Sequence, residues 1–505
     1  MKGMFINMKR KNIVVISIAI LICVTIISNL LFSIKSKRIV RYEQHLQALR
    51  TKDNGSIEDG NLVSHLPLIN ITTNGQKIPG FPIRNEKSEV DSYELGINGE
   101  EEIKVEVNIY DNKEAQNSIK NKEDLNSKAL FRIRGNSSRS FDKSSYKISF
   151  IDENDNPVEH KVMGMEKGQK WALYGPFLDK TMIRNYMWHN LCAKIMGYAP
   201  NVRFCECYLD GNYKGLYIMM ETIQKSENRV NIESYDKNSR VIPYMVKMDK
   251  FTEESDSLIT FSYYTSHLDY MAGFTILYPG KSNLTDDVKQ YIAKDISDFE
   301  KALYSYDFKD PKKGYAKYID VDSWVDFYII QEFLANNDMC SRSTYLYKDK
   351  GGKLTMGPVW DFNNVCNNYL SKEYSTEGFN FTQNRIWYEM LFKDENFVKK
   401  VQKRYKNLRK TYLNEDYLIK YIDETVEYLG DAIQRNYKVW GYSFERENQT
   451  VRYEYLNPIE RNPSNYDEAI NQYKQFLVQR GKWLDDNIET LEQYCHSSKN
   501  KIYVK

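Results

Sequence analysis

The sequence predicts an α+β protein with a β-rich N-terminal lobe, a mainly helical C-terminal lobe, and an N-terminal transmembrane helix ahead of both. Three observations carry the prediction. Up to about position 222, short runs alternate apolar and polar residues, as in Val105-Glu106-Val107-Asn108-Ile109 and Ser144-Ser145-Tyr146-Lys147-Ile148-Ser149-Phe150. Beyond about residue 385, apolar side chains recur with helical spacing. From Ile13 to Ile34, 22 residues carry no formal charge; as a helix they would reach roughly 33 Å, enough to cross a bilayer.

In chain order, residues 1–12 read as a cytoplasmic tail and 13–34 as an uncleaved anchor. Phe32-Ser33-Ile34-Lys35 offers no small-residue cleavage site. Lys2, Lys9, Arg10 and Lys11 are balanced by Lys35, Lys37, Arg38 and Arg41, so the positive-inside comparison ties. A short tail before a single first span then points to a body outside the cytoplasm, at the cell surface or in a spore coat. Residues 35–65 are polar and poorly periodic and read as a tether; 66–125 read as an N-terminal β element with a long exposed loop.

Residues 126–370 read as the core. Alternation over 144–150 places Tyr146, Ile148 and Phe150 on one strand face and Lys147 on the other. Asp179 is the expected N-cap of a helix whose apolar face is Met182, Ile183, Tyr186, Met187, Leu191 and Ile195, with Gly197 as terminator. Phe204 to Leu209, an Asp210-Gly211-Asn212 turn and Gly215 to Thr222 make a hairpin. A helix from Val321 to Asn337 leads to Asp338. Two short strands around Lys348-Asp349-Lys350-Gly351-Gly352 then lead to Trp360-Asp361-Phe362-Asn363. Residues 371–505 read as a helical C-terminal part.

Helix, acid, hairpin, acid is the order in the catalytic half of a protein kinase, where the first Asp orients the acceptor hydroxyl and the second holds magnesium. Four further segments accompany it: Arg132-Ile133-Arg134-Gly135-Asn136-Ser137-Ser138-Arg139, Phe141-Asp142-Lys143-Ser144-Ser145-Tyr146-Lys147, Leu178-Asp179-Lys180-Thr181-Met182-Ile183-Arg184-Asn185, and Gly211-Asn212-Tyr213-Lys214-Gly215-Leu216-Tyr217 through Glu221. In this order, over roughly residues 66–370, the chain resembles the spore-coat H (CotH) kinase family of atypical kinases.

The resemblance implies ATP and Mg²⁺ or Mn²⁺ as cofactors, and Ser or Thr of another surface or spore-coat protein as acceptor. It casts Asp338 as the catalytic positioning acid or general base, and Asp361 as metal ligand. Lys147 takes the place of the kinase strand lysine. Arg134 and Arg139 fit two roles, phosphate contacts or fixing the loop to neighbouring carboxylates. Trp360 fits either adenine stacking or the core.

Several positions depart from the family. Asn363 stands where a second Asp is common, keeping an oxygen ligand and losing a charge. Ser343 stands where ordinary kinases place the Asn of a second metal. Lys247 stands where an acid is often found, which leaves Glu221 as the candidate partner of Lys147. An inactive kinase-fold scaffold or binding protein is therefore the alternative reading.

Composition excludes other classes. A formal net charge of +2 over 505 residues gives no electrostatic case for nucleic acid. No His or Cys pair recurs at zinc-ligand spacing. Of seven cysteines, Cys205 and Cys207 share a strand face and cannot easily bond to each other, so the cysteines read as packed free thiols. No Gly-x-Ser-x-Gly elbow marks a hydrolase. The 40 tyrosines read as codon bias rather than as a ligand surface.

Overall fold

The computed structural model describes residues 41–87, 90–250, 272–368, 374–445 and 461–495. The chain divides between Tyr42 and Glu43 into two units, and the described strands and helices all lie in the second. The tail and anchor expected at 1–12 and 13–34 lie outside the described residues. Among the described residues no helix is long and apolar enough to cross a membrane.

The β-rich half begins after a helical turn, α1 (Gln44–Gln47). Its strands are β1 (Leu68–Thr72), β2 (Pro82–Arg84), β3 (Val90–Tyr93), β4 (Ile103–Tyr110), β5 (Leu125–Arg134), β6 (Ser145–Ile151), β7 (His160–Val162), β8 (Met165–Gly168), β9 (Lys170–Tyr174), β10 (Val202–Leu209) and β11 (Asn212–Glu221). Seven of them close into a barrel in the order β1-β10-β11-β9-β6-β5-β4, with β4 returning to β1, while β2–β3 and β7–β8 form separate hairpins. β1 and β10 are parallel and the other barrel pairs antiparallel. Because β1 and β4 are barrel staves, the boundary expected at 125/126 falls inside one continuous sheet.

Alternation sorts the barrel's side chains. Val105, Val107, Ala129, Phe131, Ile148, Phe150, Leu173, Cys205, Cys207 and Met219 fill its interior. The opposite face of β9–β11 is apolar too: Ala172, Phe204, Leu216, Ile218 and Met220 belong to the larger core shared with the helices. Cys205 and Cys207 are free, as are the other four described cysteines.

Between the halves lies α2 (Arg184–Met196), which ends where Gly197 adopts φ +84°. Asp179 is not its N-cap; from five residues upstream it accepts the Arg184 N–H at 3.2 Å and pairs with the Arg184 guanidinium at 2.6 Å. A second sheet, order β13-β12-β14-β15, comprises β12 (Tyr244–Lys250), β13 (Ala272–Tyr278), β14 (Thr344–Lys348) and β15 (Thr355–Met356), and contains the hairpin expected between the two acids. Two helices, α3 (Asp286–Leu303) and α4 (Val321–Phe333), precede that hairpin. The C-terminal part is helical as expected, with α5 (Tyr388–Leu391), α6 (Glu395–Arg409), α7 (Glu415–Leu429), α8 (Asp431–Trp440) and α9 (Tyr466–Asn487).

Residues 43–65 are packed onto this body and correct the expectation of a tether running to residue 65. The Gln44 amide makes both backbone hydrogen bonds of Phe204 on β10, donating to its carbonyl at 3.1 Å and accepting its N–H at 2.6 Å. Asp53 accepts from the backbone and ring of His65 and pairs with Arg435 of α8 at 2.6 Å. Arg435 also forks onto the fully buried Glu206, 2.8 Å at each oxygen. The segment is polar because its side chains are hydrogen-bond partners of buried groups, a demand that composition alone does not separate from solvation.

This network makes one side chain decisive. Arg435→Met would leave Glu206 and Asp53 as buried carboxylates without their cation, and should cost about 3–5 kcal/mol. Urea unfolding should show a lower midpoint; an unchanged midpoint would mean that the network contributes nothing to stability.

Candidate active site

The two predicted acids lie on loops whose backbone is unusually constrained. Of thirteen described non-glycine residues with positive φ, six fall between 335 and 367: Ala335, Cys340, Ser343, Asp361, Cys366 and Asn367. Such conformations cost energy and persist where surrounding contacts over-determine them. The first loop follows α4. Asp338 closes it, accepting at its carbonyl the N–H groups of Ser341 at 3.0 Å and Arg342 at 2.9 Å. Arg385 steadies the neighbouring Asn337, donating to its backbone and side-chain oxygens, each at 3.2 Å.

The second loop is held from α2. Asn185 accepts the Phe362 N–H at 2.9 Å, so the last residue of the Asp179-to-Asn185 segment fixes the backbone beside Asp361. His189, one turn further, meets Trp360 and Phe362 edge-on. Asn368 donates to the carbonyls of Asn363 and Leu178, closing the loop from its far side. Asp361 itself has φ +64°, a region that Asp, Asn and Gly enter with least penalty.

These restraints bring Asp338, Asp361, Ser343 and Asn364 together. Ser343 donates to an Asp361 oxygen at 3.4 Å, and the Asn364 amide donates to Asp338 at 3.3 Å. Burial pushes the Asp361 carboxyl up to about 6. The Arg134 guanidinium opposes the rise, and the carboxylates of Asp338 and Asp249 add to it. Asp249 was missed by the sequence reading. It stands on β12 two residues beyond Lys247, hence on the same strand face, and pairs with it at 2.8 Å.

From the barrel side, the outer face of β5 and β6 is charged where that of β9–β11 is apolar. Arg134, at the end of β5, stacks on Trp360 at 5.4 Å and acts electrostatically on Asp361. Lys147 on β6 lies in register with Arg132 and Ala172. Its partner is Glu102, at 2.9 Å, which also accepts from Arg132 at 3.1 Å. Glu221 is therefore corrected as that partner: it is fully buried and accepts from the backbone N–H of Asn201 at 2.8 Å and from its side chain at 3.1 Å. Alternation into β4 would have put Glu102 on the charged face, but only the β4–β5 register brings it beside Arg132 and Lys147.

Arg139 takes the loop-fixing role, with different partners from those expected. It donates to the carbonyls of Gly135 at 2.8 Å and Gly80 at 3.2 Å and lies over the Tyr93 ring, so it locks the Gly135-to-Ser140 loop without a carboxylate. Trp360 is buried between Arg134, His189 and Tyr345, which places it in the core rather than on an open adenine face. The half-buried Asn363 follows Phe362 on the Asp361 loop.

The donor set fits a hard divalent cation. Asp361 and Ser343 present oxygen 3.4 Å apart, Asn363 follows two residues along the same loop, and the neighbouring Asn364 side-chain oxygen is buried without a hydrogen-bond partner. No three His, Cys, Asp or Glu side chains among the described residues form a cage. Magnesium is compatible with that: it commonly takes one or two carboxylates and completes its octahedron with waters and phosphate oxygens.

A family model, CotH kinase protein, matches residues 131–484, which include Arg134, Lys147, Asp249, Asp338 and Asp361 but not Glu102. A search of curated proteins returns no match.

The raised Asp361 group implies a pH dependence. Its folded value, about 6, lies above the ordinary 3.8, so the folded state binds the proton more tightly. Stability from this group is present at acid pH and falls as pH rises from about 4 through 6, by up to roughly 3 kcal/mol. Asp361→Asn keeps the backbone conformation and removes the charge. Thermal unfolding without metal should give a higher Tm than wild type at pH 8, and the gap should close by pH 4.

Proposed function

We propose that this chain, which belongs to the CotH kinase family, is an ATP-dependent protein kinase that phosphorylates Ser or Thr of a surface or spore-coat protein. The observation that carries the proposal is the meeting of opposite charges from the two halves of the chain. The half-buried Asp361 carboxyl and its neighbour Asp338 come from the helical side, and Arg134 acts on Asp361 from the barrel. Phosphoryl transfer needs cations around the phosphates, a site for a divalent ion and a group that aligns the attacking hydroxyl.

In this reading Asp338 accepts a hydrogen bond from the acceptor hydroxyl and takes its proton as the new P–O bond forms and ADP departs. Asp361, Ser343 and Asn363 would hold Mg²⁺ or Mn²⁺, which offsets the charge on the phosphate oxygens. Arg134 adds positive charge from above. Lys147, oriented by Glu102, supplies a further cation on the same strand face, as the lysine–glutamate pair does in other kinases. The predicted span at 13–34 would anchor the body outside the cytoplasm; a reporter fused at the C-terminus tests that side.

A second reading, a kinase-fold scaffold without turnover, is favoured by Asn363 in place of a second Asp at the Asp361 loop.

The full chain incubated with γ-labelled ATP and Mn²⁺ or Mg²⁺ should label itself or a generic acceptor protein. Asp338→Ala and Asp361→Asn should each lower the rate by roughly 100-fold or more, and Lys147→Met should raise the KM for ATP. An unlabelled wild type that still gains Tm with ATP would establish the scaffold reading.

A further inference from the structure

Within the Leu178-to-Asn185 segment, Asn185 serves the Asp361 loop. Lys180 and Arg184 of the same segment instead line a cavity of about 510 Å³. Its other walls come from residues 366–368, which continue the Asp361 loop, from residues 375–376, from Arg461 and Pro463, and from one side of α9.

Two of the cavity's cations are buried with donor capacity left over. Lys180 and Arg184 are 3% and 4% exposed. Arg184 directs Nη1 to Asp179 at 2.6 Å and to Thr181 at 3.1 Å, while its Nε is buried without a hydrogen-bond partner. An orphaned buried donor is costly, and a guanidinium donor is satisfied best by an anionic oxygen. Lys180 donates to the Ser443 carbonyl at 2.5 Å and lies over the rings of Phe177 and Phe444. Burial lowers its pKa to about 7, with no acid among the described residues opposing the shift. Arg461 is the third cation and donates to the Asn367 carbonyl at 3.1 Å. The acid in the wall is Glu468, whose carboxylate already accepts from the N–H and hydroxyl of Ser464 and from the Gln472 amide. Counting Asp179 behind Arg184, three cations stand against two carboxylates, so the excess charge is positive.

We propose that this cavity binds a small sugar phosphate, with the phosphate on Lys180 and Arg184 and the sugar hydroxyls on the polar side chains of α9. Asn471, Gln472, Gln475 and Gln479 of that helix, with Ser375 and Thr376, offer paired donors and acceptors of the kind hydroxyl groups need. The volume lies within the roughly 300–1,000 Å³ of small-molecule sites and exceeds what a bare phosphate ion fills. Phe476 is the one aromatic residue in the wall and is 6% exposed, so a nucleobase finds no open ring to stack on. An anion beside Lys180 also favours its ammonium form, which strengthens the contact.

Calorimetric titration of the full chain in nonionic detergent, without ATP or metal, tests this with ribose 5-phosphate, glucose 6-phosphate, inorganic phosphate and ribose as probes. At least one sugar phosphate should give a saturable isotherm, inorganic phosphate a weaker one, and ribose none. Lys180→Met should weaken the sugar phosphate roughly tenfold or more. Gln475→Glu, which sets a carboxylate on the exposed wall of α9, should weaken it several-fold with unchanged Tm. Lys147→Met, which removes a cation of the catalytic strand face, should leave it unchanged. If Lys180→Met disturbs packing, Gln475→Glu decides alone. No saturable binding of either sugar phosphate, or inorganic phosphate binding as tightly as both, would overturn the proposal. So would binding that survives Gln475→Glu or is lost in Lys147→Met, since the ligand would then sit elsewhere.

Discussion

One strand face has to serve two solvents. The outer surface of the barrel is buried against helices over β9–β11 and carries charged side chains over β5 and β6, and the change occurs across neighbouring strands in register. Ala172 on β9 lies directly beside Lys147 on β6. On the apolar side, Ile218 and Met220 anchor the barrel to the helical lobe; on the charged side, Arg132 and Lys147 pair with Glu102 and Arg134 acts on Asp361 of the helical lobe. The site exists because barrel closure fixes this seam. A shift of one residue in β5 or β6 would exchange that strand's two faces and bury its cations in the barrel core.

The helical side meets the seam through main-chain restraints rather than through bulk packing. Asn185 and Asn368 act on backbone groups of Phe362 and Asn363, and Arg385 acts on Asn337. Asn185 and Arg385 pin the loops from distant stretches of sequence and Asn368 from five residues along the same loop, which lets the loops keep left-handed residues that would otherwise relax. Burial of Asp361 among other carboxylates is the electrostatic counterpart. A carboxylate-rich, over-determined pocket favours whatever cation or proton neutralises it.

Local chemistry made much of this legible beforehand. The period of α4, the hairpin after it, the β10–β11 hairpin and the Gly197 stop follow from alternation, helical spacing and turn residues, each read within a short window. The two acids emerged for the same reason, since their neighbours are contiguous. What escaped depends on register. Glu102 and Asp249 are surface-type acids whose roles arise only when β4 is laid against β5, and β12 against the loop of Asp361. Glu221 failed as the partner of Lys147 because nothing in its own strand announces Asn201. The residues before Leu66 were misjudged because buried hydrogen-bond partners and solvated linkers share a composition.

The left-handed backbone at Asp361 has an evolutionary consequence. Few side chains are tolerated there without strain, and Asn, the mildest alternative to Asp, is one nucleotide change away. Backbone geometry therefore admits both residues at this position, and above about pH 6 folding stability favours the uncharged one. A lineage that retains the carboxylate keeps it against that stability cost, so the residue found at this position in descendants records whether the chemistry of the acid was still required of them.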